Sequence, residues 1–299
     1  MNGISNSNNL VLGTAQIGLP YGIANKTGQP DPAVAVAIIN EAWGQGIREF
    51  DTAQGYGVSE EILGKALSEI GITNEAGIIS KFDPNIDHLN ETAMSDALDR
   101  SVKRLGVPML SGIMLHREEL FSLWDKGLAK VLQAFVTSGR VKRVGVSVYS
   151  PDKAIEALNT DGIDMVQLPT NILDRRFENA GVFRLAEKKK KQIYIRSVFL
   201  QGLLLMDPEE IPAKMAFAVP VLEKFKTLSH DLGLTRQEVA LGFLKVGFPH
   251  AHVIFGAETQ DQVKQNALIW KKKMPELLRN KVRTLFSDVS EKILNPVLW

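Results

Sequence analysis

The chain has 299 residues, 44% hydrophobic and 23% charged, with 35 Lys and Arg against 34 Asp and Glu and no cysteine. That is enough apolar sequence for one large core, and an α/β barrel of this size is commonly a single domain. A net charge of +1 gives no footprint for nucleic acid or an anionic membrane, while the lack of cysteine excludes disulfides, thiolate metal sites and thiol catalysis and fits a reducing cytoplasm.

Residues 1–9, MNGISNSNN, are polar, lack the regions of a secretory signal and read as a loose tail. No apolar run approaches the roughly 18 residues of a bilayer span, so the expectation is a soluble cytoplasmic protein. From residue 10 onward, short apolar runs alternate with helical patterns. The runs at 10–16, 49–51, 78–81, 112–116, 143–147, 164–168, 193–197 and 253–256 read as buried parallel strands.

The intervening helices carry start and stop signals. Asp31 before Pro32 is an N-cap with an N1 proline, opening a helix through Trp43. Met94, Leu98, Val102 and Leu105 recur at helical spacing until Gly106 and Pro108 stop them. Thr235 with Glu238, and Thr259 with Gln262, have capping-box spacing. The lysine runs at 188–191 and 271–273 fall where helices finish, so they read as solvated helix ends that complement the dipole.

Eight strand and helix pairs predict an α/β fold, a (β/α)8 TIM barrel forming a single domain over 1–299, with 268–299 as a C-terminal extension over the barrel. An open doubly wound sheet is the alternative, and no GxGxxG loop follows any strand to support it. The long connection after the seventh strand, from Phe199 past Pro208 and Pro212, is a candidate lid or substrate wall.

The C-terminal strand ends of such a barrel form its active face. Asp51 ends the second predicted strand, Lys81 the third and His116 the fourth, with Tyr56 just beyond Asp51 between Gly55 and Gly57. Taken singly, Asp51 reads equally as a cap or structural acid, Tyr56 as a rim aromatic, and Lys81 and His116 as snorkelling surface groups. Three adjacent strands each offering a titratable group to one mouth favour chemistry. A phenol of pKa about 10 is a poor proton donor at neutral pH. A nearby ammonium, held by a carboxylate, is expected to lower that pKa, and a neutral imidazole can donate to a substrate oxygen.

The motifs LGTAQIG, FDTAQGYGVSE, SK at 80–81, LHR at 115–117, VGVS at 144–147, VQLPTN at 166–171, QGLL at 201–204 and GAETQDQVKQN at 256–266 run through nearly the whole chain. In this order they resemble the aldo-keto reductases, barrels that reduce aldehydes and ketones with a nicotinamide cofactor, usually NADPH. The resemblance implies a tetrad of Asp51, Tyr56, Lys81 and His116, with Tyr56 the proton donor, acting on a small carbonyl substrate. It implies cofactor contacts from Thr14, Ala15 and Asp51. Ser147 and Gln167 correspond to the carboxamide site, and Arg196, Ser197, Phe199 and Gln201 to the segment along the nicotinamide and pyrophosphate. Gly256, Glu258, Thr259, Gln262, Gln265 and Asn266 correspond to the adenosine site.

Several positions depart from the family pattern. Val148 stands where asparagine is frequent, and Arg196 where an aromatic side chain often stacks on the nicotinamide; a planar guanidinium can stack too. Gly256, Ala257 and Gln262 replace frequent basic residues, and Glu258 adds a carboxylate beside the expected 2′-phosphate position, with Lys264 the nearest compensating cation in the sequence. The expectation is weakened NADPH preference with NADH also used.

Three other functions compete. The barrel could serve as a nicotinamide-binding redox sensor or partner subunit. A metal-dependent hydrolase is disfavoured because His88, His250 and His252 fall outside the predicted strand ends and His116 has no second ligand nearby. A Schiff-base aldolase using Lys81 is a further alternative. No metal, nucleic-acid or membrane partner is expected, and the chain reads as a monomer or weak oligomer. Phe82, Trp124 and Phe199 are candidate substrate-wall residues, with core packing preferred for Trp124.

Overall fold

The computed structural model describes residues 9–299, so the expected tail at 1–9 lies, but for its last residue, outside the described residues. The strands are β1 (Leu10–Gly13), β2 (Glu49–Asp51), β3 (Gly77–Phe82), β4 (Gly112–Leu115), β5 (Val144–Ser147), β6 (Met165–Pro169), β7 (Gln192–Arg196) and β8 (His252–Gly256). Each pairs in parallel with its successor, and β1 pairs with β8 to close the barrel. The strands read as apolar because both faces are buried, one against helices and one inside the barrel.

Val11, Ile79, Met114, Met165, Tyr194 and Ile254 form the inner cluster. Met165 fits because Gly112 and Gly145 face it; a Cβ there would stand 2.3 and 2.6 Å from its side chain. Polar groups finish the N-terminal end of the barrel. Glu49 accepts from Arg143 at 2.9 Å and from the Tyr194 hydroxyl at 3.1 Å, and pairs with His252 at 3.1 Å.

The strand boundaries shift in ways that bear on the site. β1 stops at Gly13 rather than running to residue 16, because a short helical turn, Ala15–Gly18, follows. β3 runs through Lys81 to Phe82, β4 ends one residue before His116, and β7 ends at Arg196, leaving Ser197 at φ 61° in the left-handed region. Phe82 is fully buried in the core outside the barrel, so the expectation that it lines the substrate wall is corrected; side chains alternate along β3, and Lys81 takes the inward position. Trp124 is buried against Phe121, 5.5 Å between ring centroids, in the core as preferred.

Helix caps follow the sequence closely. Asp31 stands at the N-cap position and Pro32 at N1 of helix Pro32–Gly44, but the Asp31 side chain makes no capping hydrogen bond; Gly106 at φ 64° ends helix Glu91–Leu105. Thr235 and Glu238 form a complete capping box. Thr259 forms half of one: its hydroxyl accepts from Gln262 N at 3.2 Å, but the Gln262 side chain turns to Glu258 N at 2.6 Å. After β7, three short 3-10 segments (Leu200–Leu205, Pro208–Glu210 and Ala213–Ala218) precede helix Val219–Asp231. The chain ends in helix Leu278–Leu285 and the turns Glu291–Leu294 and Pro296–Leu298.

Candidate active site

A cavity of about 770 Å³ opens at the C-terminal strand ends, walled by the segments after β1, β7 and β8. Asp51 at the end of β2, Tyr56 in the turn after it and His116 just past β4 reach it. Lys81 stands behind them, wholly buried, donating to Asp51 Oδ2 at 2.7 Å and to the Thr52 carbonyl at 2.9 Å. It is therefore no snorkelling rim group. Its ammonium lies 5.0 Å from the Tyr56 ring centroid, and the Tyr56 and His116 rings meet edge-on, 5.5 Å between centroids. The other Asp51 oxygen accepts from Gln167 Nε2 at 2.7 Å, so the carboxylate is held from two sides.

The Tyr56 segment is fixed by backbone proximity. Ser59 Oγ lies 2.7 Å from Thr14 Oγ1 and 3.0 Å from Thr52 Oγ1, and Thr14 Oγ1 donates to the Asp51 carbonyl at 2.9 Å, tying β1, β2 and helix Ser59–Glu69 together. Gly57 sits at φ 57°, and a Cβ on it would lie 2.4 Å from the Gly18 carbonyl. Only glycine fits that turn; Gly55, expected to help bend it, has no positive φ.

Electrostatics differ from expectation at the phenol. Burial raises the Tyr56 pKa above its ordinary value, the Asp51 charge raises it further, and Arg196 opposes both. The expected lowering by Lys81 is not the outcome, since desolvation dominates and that ammonium is already paired with Asp51. Burial also pushes Lys81 down, against the pull of Asp51. His116 is lowered to about 3 by burial and by the charges of Lys81, Arg196 and Arg117. Its imidazole is neutral at physiological pH, as expected, and its Nδ1 is buried with no hydrogen-bond partner among the described residues.

Of the anticipated cofactor residues, Thr14, Ala15, Ser147, Gln167, Arg196, Ser197, Phe199 and Gln201 border the cavity. Gly256, Glu258, Gln262, Gln265 and Asn266 border its far end, but Thr259 does not: its hydroxyl is spent on the cap. The residues fit a nicotinamide dinucleotide. Ser147 and Gln167 bring a hydroxyl donor and an amide oxygen to the same wall, which is what a carboxamide needs. Ser197, Leu200 and Gln201 all carry positive φ without being glycine, and such strain clusters at ligand clamps. Val148 is buried, and its backbone carbonyl, not its side chain, faces Arg196.

Some lining residues escaped the sequence reading. Tyr21, Lys26 and Glu210 line the cavity from the long segments after β1 and β7, and Lys26 pairs with Glu210 at 3.0 Å. No periodic pattern marks them. Tyr149 lies two residues past β5, and that position was a usable signal. Gln16 also lines the cavity, its amide lying over Gly256, where a Cβ would be 2.1 Å away.

Residues 9–281 match the family model described as aldo/keto reductase family. An aldo-keto reductase of Bacillus subtilis is 26% identical over 201 residues, covering 64% of this chain and 59% of that protein. An NADH-specific methylglyoxal reductase of Escherichia coli is 25% identical over 288 residues, covering 85% of this chain and 87% of that one. A glycerol dehydrogenase of Gluconobacter oxydans shares the fold at TM-score 0.75 and 22% identity, over 96% of this chain and 93% of its own.

Proposed function

Because the chain belongs to the aldo/keto reductase family of NAD(P)H-dependent oxidoreductases, we propose that it reduces the carbonyl of a small aldehyde, ketone or sugar with Tyr56 as proton donor. The observation carrying this reading is the meeting of Asp51, Tyr56, Lys81 and His116 at one cavity.

When bound, a dihydronicotinamide would supply hydride to the carbonyl carbon. Tyr56, neutral because its pKa is raised, hydrogen-bonds the carbonyl oxygen and gives it the phenolic proton as negative charge grows there. The neutral His116 donates a second hydrogen bond to that oxygen, polarising the carbonyl before transfer. Asp51 and Lys81 set the field around the phenol and, through Gln167, the wall beside it. Ser147 and Gln167 would hold the carboxamide of a bound cofactor, and the strained 197–201 segment, which borders the same cavity, would hold the rest of it.

The adenosine end supports use of NADH alongside NADPH. Glu258 faces the cavity there, Gln16 covers the position where a basic side chain would stand, and Lys26 is already paired with Glu210. The relative from Escherichia coli is NADH-specific. Tyr56→Phe is expected to bind cofactor normally while loss of reduced-nicotinamide absorbance with an aldehyde panel falls to near background. Unchanged turnover would refute the role of Tyr56, and a hundredfold advantage of NADPH over NADH would refute the cofactor reading.

A further inference from the structure

We propose that Arg196 is an anion-recognition residue that directs the reductase toward carbonyl substrates bearing a carboxylate or phosphate; the proposal rests on the reductase reading above. Arg196 ends β7 and borders the cavity shared by Tyr56 and His116. The other cations nearby are neutralised: Lys26, which also lines the cavity, by Glu210 at 3.0 Å, Lys81 behind Tyr56 by Asp51 at 2.7 Å, and Arg176 in the adjoining side cavity by Asp174 at 2.9 Å. Among the described residues, Arg196 has no carboxylate within ion-pair distance.

Neutral groups hold its guanidinium in place. It donates to Ser197 Oγ at 3.2 Å and to the Val148 carbonyl at 3.3 Å, and stacks 4.1 Å from the Tyr149 ring centroid. Those bonds engage two of five N–H donors and fix the plane of the fork, leaving donors for a bidentate oxyanion. A half-buried charge without a counter-ion is costly, and a ligand oxyanion relieves that cost. The positive φ of Ser197, immediately after it, marks local backbone strain beside the guanidinium. Its field also lowers the pKa of both Tyr56 and His116.

The guanidinium and Tyr149 also border a side cavity of about 210 Å³. Glu118 and Glu291 line that space and would repel an anion placed deep within it. The anionic group therefore sits on the main-cavity side, in the space that Arg196 shares with Tyr56 and His116.

The test compares matched pairs in the full-length protein: benzaldehyde against 4-carboxybenzaldehyde, and glyceraldehyde against glyceraldehyde 3-phosphate. In the native enzyme kcat/KM favours the charged member. In Arg196→Met the charged-to-neutral ratio falls about tenfold to about a hundredfold, the range expected of a charge-assisted hydrogen bond, and Arg196→Lys keeps part of it. The two pairs separate a carboxylate site from a phosphate site. An unchanged ratio, or equal losses on both members matched by weaker cofactor binding in a fluorescence titration, would overturn the proposal by making Arg196 a cofactor residue. If no aldehyde is turned over, the reductase reading fails. Calorimetry of cofactor-saturated protein with 4-carboxybenzyl alcohol and benzyl alcohol then decides the anion site by itself: binding of the acid that Arg196→Met abolishes supports it, and equal binding of both alcohols refutes it.

Discussion

The position of the reactive phenol hangs on a backbone contact that a single methyl group would break. Gly18 closes the turn Ala15–Gly18, and a Cβ placed on it would lie 2.0 Å from the Tyr56 carbonyl oxygen, 2.6 Å from Ser59 Cβ and 2.7 Å from Ser59 N. None of these atoms is the free end of a flexible side chain. Gly18→Ala must therefore push the 56–59 backbone outward by at least about 1 Å before even the shortest tolerable contact is reached. That movement loosens the Ser59 bonds to Thr14 and Thr52 and carries the phenol with it.

Overpacking of this kind costs about 1–3 kcal/mol of stability, and a 1 Å misplacement of a reacting group costs about a hundredfold in rate. Urea unfolding should show the first effect, and single-turnover reduction of an aldehyde at saturating cofactor the second. Gly28→Ala is the control: it too removes a glycine, at φ 78°, but a Cβ there meets nothing within 4 Å. It should lose about 1 kcal/mol through backbone strain and little activity. A Gly18→Ala enzyme with native turnover would show that the Gly18 contact does not position Tyr56.

Lys81→Met strips the partner from a buried carboxylate and should cost about 3–5 kcal/mol in urea unfolding; adding Asp51→Asn should restore part of it, and a single-variant cost under about 1 kcal/mol would contradict the pairing. Because His116 titrates near 3 and Tyr56 is raised, neither changes charge around neutrality. Reduction, which needs the protonated phenol, should have a kcat/KM that is flat between about pH 6 and pH 9, and alcohol oxidation, which needs the phenolate, should accelerate with pH; an inflection near 6.5, the ordinary histidine value, would contradict this. Glu49 is held at about 2, with burial opposing and His252 and Arg143 prevailing. As a depressed carboxylate, it stabilises the fold fully above its ordinary value of 4.5 and loses that contribution as pH falls toward 2. The contribution is about 3 kcal/mol, so Glu49→Gln should flatten the acid limb of stability, and an unchanged limb would place the acid sensitivity elsewhere.

How far the site could be read depended on whether a residue's role was local. Asp51, Tyr56 and His116 were legible because each follows a short apolar run, and the period of such runs fixes which end faces the mouth. Phe82 was misplaced by one residue of alternation, the smallest error that turns a side chain from one face of a strand to the other. The direction of the Tyr56 shift was misjudged because adjacency of charges can be guessed from strand order, whereas the loss of water around a ring cannot. Arg196 was visible as an unusual residue at a cofactor position, yet its lack of a counter-ion depends on where the acids of distant segments lie.

Alternating apolar runs and helix caps determined the eight-stranded barrel, the order of its strands and the rim on which the reactive groups stand, because these follow from backbone periods of two and 3.6 residues and from capping chemistry within a few positions. The tertiary structure alone decided the interlock of Gly18 with Gly57, the burial that holds the proton on Tyr56, and the unpaired charge of Arg196. Each of these is a contact, or the lack of one, between segments far apart in the chain, and only closure of the barrel brings such segments within reach of one another.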